Sequence, residues 1–477
     1  MAENKTFRLE REIPADDHYD LLVAGGGPAG TTAAVAAARE GARVLLVEAT
    51  GALGGMGTNG LVSSWYCLGN NVHSMVGGLV VEICEKLYER GAIEPGCGPE
   101  RWQRTKRGFG FDPEAVKRLH DELCEDAGVE IRYVTRVVDV DVAKEEGVVR
   151  GAILHNVEGF RYVPATAFVD ATGDAVLSDL CGVVCREAGR DTERIMAPTL
   201  CARIDGIDYE RFDRRRDQQT AVDKAVDEGF FSQPDRHVPG LFRTGETSAI
   251  MNAGHLFDTN ALSIRSLSQG YRWGRRLVSE YVQFFREYLD GCENIRSLAT
   301  ANLLGTRESR RIVGEYELDW DDFRARRKFP DQIAIYCKQV DIHVYDTSRE
   351  EYERFLQEFD ELGRPADGEY YGIPYGVLVP KGWVNLWTAG RCVSTDVKVN
   401  GSLRDQPGCM LMGQAAGTAA AQHVQTGEPA CELNTRTLVE TLRARGANLP
   451  QTELSNTMTR ESAKPAHAGA YSRTDRV

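Results

Sequence analysis

Residues 23–49 read VAGGGPAGTTAAVAAAREGARVLLVEA, and no other stretch constrains the fold as strongly. The run just before and into it, "DLLVAG" (Asp20–Gly25), has the apolar profile of a buried strand. A G-x-G-x-x-G frame comes next, then an alanine-rich helical stretch from Pro28 to Glu40 that Gly41 stops. A second apolar run, "RVLLVE" (Arg43–Glu48), completes a β-α-β unit of about 30 residues. Each glycine has its own physical task. Gly25 permits the tight strand-to-helix turn, Gly27 lets the backbone approach a pyrophosphate, and Gly30 lets helix pack closely on strand. At the helix start, where Pro28 and Ala29 stand, free N–H groups and the helix dipole suit an anion. Glu48, with Ala49 after it, ends the second strand, where a carboxylate can accept hydrogen bonds from ribose hydroxyls. This unit is expected to bind a dinucleotide.

The segments after residue 50 separate two kinds of dinucleotide protein. A simple doubly wound NAD domain continues with further β-α units. Here a glycine-rich loop at 50–65 comes first, and then a helix start at Asp112-Pro113-Glu114, with an N-cap, a first-turn proline and an acid beside it. Val116, Leu119, Leu123 and Ala127 mark the buried face of that helix. Three β runs come after it at 129–142, 147–156 and 160–163, leading into a further strand, "AFVDATGD" (Ala167–Asp174). From about 203 to 370 the pattern changes to longer, polar, aromatic-dotted helices and strands. A buried strand at 383–390 and a small-residue helix from about Pro407 to Val424 come last. The expected organisation is α/β: a nucleotide-binding domain of residues 18–202 and 371–430, with an α+β substrate or cap domain, 203–370, inserted in it. Residues 1–17 read as a loose leader, and 445–477, poor in large apolar side chains, as a disordered tail.

The formal charge of −14 argues against a nucleic-acid partner. The short basic runs Arg214–Arg216 and Arg324–Lys328 are bordered by acids and read as solvated faces. No apolar stretch reaches the ~18–20 residues of a membrane span, and the start lacks the apolar core of a secretory signal. The twelve cysteines form no C-x-x-C pair. Cys181 and Cys185 have no further ligand at metal spacing, so no metal site is expected, and reduced thiols point to the cytoplasm.

Eight pieces occur in one order: "AGGGPAG", "LGGMGTNGLV", "FDPEAVK", "FVDATGDA", "GTRESRRIVGEYEL", "DIH", "YGIPYGVLVPKG" and "AGRCVS…MLMGQAAGTAAA". Over roughly 18–425 the chain resembles the glutathione-reductase-like FAD-binding Rossmann domain with a β meander. More closely it is similar to the bacterial FAD-dependent oxidoreductase family, related to the succinate dehydrogenase and fumarate reductase flavoproteins. The resemblance implies tightly bound FAD and two-electron chemistry. It would set Gly55, Met56, Gly57 and Thr58 along the pyrophosphate and ribityl chain, and Val137 by the adenine. It would place Ala171, Thr172, Gly173 and Asp174 over the pyrophosphate, Asp174 either bonding a ribityl hydroxyl or capping the next helix. Gly390 and Arg391 would meet the ribityl-phosphate region, and Met412 and Gly413 the pyrimidine end of the flavin. Relatives with covalent FAD carry a histidine where this chain has "GGMGTNG", so the resemblance implies non-covalent FAD.

The substrate end needs a group to manage one proton. Candidates are His255, His343, Tyr371 and Tyr375, with His343 preferred because Asp341 stands nearby in "DIH". Both tyrosines read more readily as packing residues. Arg307, Arg310 and Arg311 either bind an anionic group or form an ion-pair lattice with Glu308 and Glu315 at helical spacing. Cys67 has no partner cysteine near it in sequence, which sets a disulfide reductase aside. The expected function is hydride transfer between FAD and a CH–OH or CH–NH group of a polar small molecule, with an unnamed acceptor reoxidising the flavin. The alternatives are a flavin-dependent C=C reductase and, from another class, a non-catalytic or sensory FAD-binding protein. The number of chains that assemble is left open.

Overall fold

The computed structural model describes residues 7–192, 194–212, 218–361 and 363–450. Strand β1 (Tyr19–Ala24) is buried at every position but Asp20, and helix α1 (Pro28–Arg39) buries Ala29 to Ala37. Strand β2 (Val44–Val47), wholly buried, lies parallel to β1 with Leu21 opposite Val44. Helix α2 (Pro113–Ala127) starts as its sequence dictates: the Asp112 carboxylate accepts the Glu114 N–H at 3.1 Å. Gly128, in the left-handed region at φ +77°, stops it. Strand β3 (Glu130–Arg132) then runs parallel to β2.

Strands β4 (Arg136–Ala143), β5 (Val148–Asn156) and β6 (Gly159–Asp170) form the meander. The runs expected separately at 160–163 and 167–170 are one strand, β6. Its first half pairs antiparallel with β5, and from Ala165 onward it pairs parallel with β1. The half-buried hairpin arm gives way to a fully buried central strand, so its apolar pattern changes midway without a break in the backbone.

A second, antiparallel sheet contains β7 (Ala202–Asp205), β8 (Gly240–Arg243), β9 (Ala249–Asn252) and, after helix α3 (Ile264–Tyr288), β10 (Arg296–Thr300), in the order β8-β9-β7-β10. Leu277, Tyr281 and Phe284 of α3 join Ile204, Ile250 and Met251 in a core drawn chiefly from residues 200–304. Residues of the next stretch, among them Ile335, Tyr336, Tyr371 and Val377, pack in the large core with α1 instead. The chain returns to the first sheet with β11 (Leu386–Thr388), parallel to β6, giving the order β3-β2-β1-β6-β5-β4 with β11 beside β6. Helix α4 (Gln406–Thr426) closes it against α1. A Cβ at Gly417 would stand 2.0 Å from the Ala33 carbonyl oxygen, which explains the small residues there. Among the described residues, no helix is long and apolar enough to cross a membrane, and all twelve cysteines are free thiols.

Candidate active site

A cavity of about 1180 Å³ extends from the β1–α1 turn to the second sheet. It exceeds the ~300–1,000 Å³ of a typical single-ligand pocket. At the β1–α1 end Gly25 has φ +94°, and an added Cβ would lie 2.7 Å from the Ala171 carbonyl oxygen. A Cβ on Gly30 would overlap the Gly25 oxygen at 1.7 Å. Gly27 is different: its Cβ would meet nothing closer than Gly55 Cα, at 4.0 Å, and would project into the cavity. The buried Glu48 carboxylate is fixed at the cavity wall by the Gly26 N–H at 2.8 Å and by the N–H and hydroxyl of Thr50, each at 2.7 Å. A backbone approach left open between two facing glycines, ahead of a helix N-terminus, fits a pyrophosphate.

Pro28, Ala29, Ala49, Gly55, Met56, Val137 and Ala171–Asp174 also line the cavity. Buried Asp170, its pKa raised by burial, holds the turn over it by accepting the Thr172 hydroxyl at 2.7 Å and the Ser178 N–H at 2.8 Å. Asp174 does not cap the helix at Val176–Cys181. The Thr172 hydroxyl accepts the Val176 N–H there at 2.9 Å, and Asp174 accepts instead from the Ser309 hydroxyl and from Arg391. Arg391, after Gly390 (φ +90°), also donates to the carbonyls of Gly173 and Thr306. The N-terminus of α4 faces the cavity through Asp405, Gln406, Pro407 and Cys409. Met412 and Gly413 do not line it. Met412 is fully buried, and a Cβ on Gly413 would sit 2.1 Å from the Ala29 carbonyl oxygen, so that turn of the helix is spent on packing. Gly57 and Thr58 likewise lie behind the wall; Thr58 is buried and donates to the Leu53 carbonyl.

The other end of the cavity gathers histidines from three loops. His237 lies ahead of β8, His255 comes after β9, and His343 lies beyond the strand Gln332–Tyr336. His255 Nδ1 is 2.7 Å from Asp235 Oδ2, and His255 Nε2 is 2.9 Å from His343 Nδ1. His343 Nε2 is 3.3 Å from Asp341 Oδ1. The result is a chain, Asp235–His255–His343–Asp341, in which both ring nitrogens of His343 are engaged. The His237 ring packs on both imidazoles, with centroids 4.9 and 5.2 Å away, and makes no hydrogen bond among the described residues. Burial, then the charge of His255, pushes the His237 pKa down to about 4. Burial, then Arg307, holds His343 well below its ordinary value. Burial opposes ionisation of Asp341, yet His343 and Lys338 keep it well below the usual carboxylate range.

Arg307 is buried beside this cluster and donates to the Ala197 carbonyl and to the Thr199 hydroxyl at 3.1 Å. Burial, then Arg404, lowers its pKa to about 10. It alone of the three expected arginines lines the cavity. The segment is not helical: Arg310 and Arg311 lie in a short strand, where Arg310 meets Asp179 at 3.3 Å and Arg311 meets Glu308 at 3.7 Å. Glu315 instead accepts the Gly382 N–H. Tyr371 bonds Ser402, and Tyr375 bonds Ala430 and Trp387, both away from the cavity. In the run 324–328, Arg326 and Arg327 pair with Glu369 and Asp322; Arg214–Arg216 lie outside the described residues, as do 1–6 of the leader and 451–477 of the tail.

Asp235, His237, Lys338, Arg404 and Cys337 line the cavity yet escape a reading of the sequence. His237 carries one signal, an Asp-x-His spacing in "DRH" that "DIH" repeats. Cys337, 270 residues from Cys67, places its thiol 3.7 Å from the Cys67 carbonyl oxygen, and both cysteines line the cavity.

A dinucleotide cleft on a parallel sheet, with a meander inserted and a second sheet carrying titratable groups over it, defines a flavoprotein of the Rossmann type. The chain matches the family described as FAD dependent oxidoreductase over residues 20–442 and belongs to it; its cofactor is FAD. It is similar to the digeranylgeranylglycerophospholipid reductase of Methanosarcina acetivorans, 30% identical over 173 residues, which is 33% of this chain and 38% of that protein. The chain thus aligns with well under half the length of this curated relative. A geranylgeranyl bacteriochlorophyll reductase-like protein from Thermoplasma acidophilum is structurally similar at 14% identity and a TM-score of 0.47, over 90% of this chain and 84% of that one. The flavin-dependent brominase Bmp2 is similar at 14% identity and a TM-score of 0.43, over 90% and 83%.

Proposed function

We propose that this flavoprotein oxidises a CH–OH or CH–NH group of a polar small molecule. One observation carries the reading: the cavity that begins at the glycine frame ends at the Asp235–His255–His343–Asp341 chain. FAD, when bound, supplies the two-electron acceptor for a substrate hydride. Gly25, Gly27, Gly55 and the start of α1 would hold its pyrophosphate, with Glu48 at the ribose, Val137 by the adenine, and Ala171–Asp174, Gly390 and Arg391 covering it. The remaining tasks fall to the histidine end. The proton leaving the substrate heteroatom is received by the His255–His343 pair acting together, and Asp235 and Asp341 at either end stabilise the added positive charge. Arg307, with Lys338 and Arg404 in the same wall, receives an anionic or polyhydroxylated part of the substrate. This concentration of charge favours a polar substrate over a long apolar one.

Anaerobic mixing with panels of polar alcohols and amines is expected to bleach the bound flavin, and His343→Ala to slow that bleaching ~10²–10⁴-fold at equal FAD content. If instead an alkene reoxidises the chemically reduced protein and no alcohol or amine bleaches it, the protein is a C=C reductase. If nothing exchanges electrons with the flavin, the binding-protein reading takes its place.

A further inference from the structure

We infer that His237, His255 and His343 form a three-histidine site for a late first-row divalent cation, at the substrate end of the cavity. The inference rests on the proposed function only for the cation's role; the site itself stands on its geometry. The imidazole donor atoms lie within 4.8 Å of one another. With the ring proton of His255 on Nδ1 toward Asp235 and that of His343 on Nε2 toward Asp341, the tautomers these carboxylates favour, the facing nitrogens His255 Nε2 and His343 Nδ1 would each present a lone pair. Two lone pairs at 2.9 Å repel unless something positive lies between or beside them. A shared proton would satisfy that pair but would leave the half-buried His237 imidazole, which makes no hydrogen bond among the described residues, without a partner in the cluster. A cation satisfies all three.

The distances suit it. With metal–nitrogen bonds of ~2.0–2.1 Å, two donors 2.9 Å apart subtend about 90° at the metal. The His237 nitrogen lies within 4.8 Å of the other two donors, so a side-chain movement brings it to the same ion. The supports are those of a built metal site: His255 is bonded through its far nitrogen to the buried Asp235 carboxylate, and His343 Nε2 lies 3.3 Å from the half-buried Asp341 carboxylate, an arrangement that favours one tautomer and raises ligand basicity. Asp341 is itself held through its second oxygen by Arg404 at 3.0 Å. Neutral imidazoles favour zinc, iron, cobalt, nickel or copper over magnesium or calcium. Arg307 and Lys338 add positive charge nearby, and Asp235 and Asp341 offset it.

His237, His255 and His343 all line the cavity that also contains the nucleotide cleft, so an ion they held would be open to a substrate there. There the cation would coordinate the substrate's oxygen or nitrogen and lower its pKa. With the ion held by His237, His255 and His343, it would take over the task assigned above to the His255–His343 pair, and the substrate O–H or N–H proton would pass to solvent water.

The test is titration of the FAD-loaded protein, first dialysed against a chelator, with Zn²⁺ or Co²⁺ alone. One ion per chain is expected, and bound Co²⁺ should show visible d–d bands without thiolate charge-transfer absorption. Asp235→Asn should weaken binding ~10–100-fold, and His237→Ala by more. His237→Phe, which preserves ring packing, should do the same, and retained FAD reports that each variant is folded. Wild-type protein that binds no stoichiometric ion, undiminished binding in both His237 variants, or a cobalt–thiolate band would each overturn the site. Loss of the site with substrate bleaching intact would remove the cation and leave the proposed oxidation standing. A bound ion with no substrate bleaching would do the reverse.

Discussion

Gly27 and Gly30 stand three residues apart in one motif, yet the structure predicts opposite failures when each is given a side chain. At Gly27 a Cβ meets only open cavity, and the backbone there, φ −71° and ψ −174°, is extended and acceptable to a β-branched residue. Gly27→Val should therefore leave the apoprotein as stable as wild type, within the ~0.5 kcal/mol typical of harmless substitutions. Its isopropyl group occupies the space where an anion would approach the first N–H groups of α1. Losing two charge-assisted hydrogen bonds at ~1.5–3 kcal/mol each removes ~3–6 kcal/mol of binding, or about two to four orders of magnitude in FAD affinity. Gly30→Ala is the reverse case. Its methyl group would sit 1.7 Å from the Gly25 oxygen, against the backbone of the β1–α1 turn. Overpacking of this kind costs ~1–3 kcal/mol or more, because helix and strand must part. The assay is urea unfolding of both apoproteins, paired with titration of FAD by flavin fluorescence; wild type should release FAD and not FMN on denaturation. Wild-type FAD affinity in a folded Gly27→Val protein would refute the placement of the pyrophosphate. Undiminished stability in Gly30→Ala would refute the close helix–strand contact.

Arg391→Met should cost about 1–3 kcal/mol in urea unfolding and weaken FAD binding, because the Gly173 and Thr306 carbonyls and Asp174 all lose a donor. An unchanged melt would show that the turn over the cavity holds without it. His120 of α2 is buried with no hydrogen bond to either ring nitrogen, and burial pushes its pKa down to about 4. The unfolded chain binds that proton below ~6.5 and the folded chain only near 4, so this stability is present above pH 6.5 and is lost as pH falls toward 4, by up to about 3 kcal/mol. His120→Leu should be more stable than wild type by a margin that widens over that window. A margin constant with pH would refute the buried neutral imidazole.

The two ends of the cavity differ in how much of them the sequence discloses, and the difference is physical. The nucleotide end is one contiguous segment whose requirements fall on the main chain: a positive φ at Gly25, a vacant Cβ at Gly27, a close contact at Gly30. Only glycine meets such requirements, so the letters themselves record the geometry. The Asp112 cap and Gly128 stop are legible for the same local reason. Met412 and Gly413 are misplaced by the sequence because small residues serve two ends alike. A glycine that clears a cofactor and one that admits a neighbouring helix look identical in sequence, and here Gly413 admits α1. The arginines after Arg307 lie at a spacing that a helix would pair with Glu315. In a short strand only the Arg311–Glu308 contact of that lattice forms; Arg310 meets Asp179 instead, and Glu315 bonds elsewhere. At the histidine end nothing is local. Asp235 accepts the His237 backbone N–H through one oxygen, and through the other it bonds the His255 ring, a partner beyond β9. His343 reads as a lone base from "DIH" alone; once folded, its second nitrogen is taken by His255, a partner 88 residues away. A base with both nitrogens occupied cannot act singly, and that fact, which only tertiary structure supplies, is what turns three scattered histidines into one candidate centre.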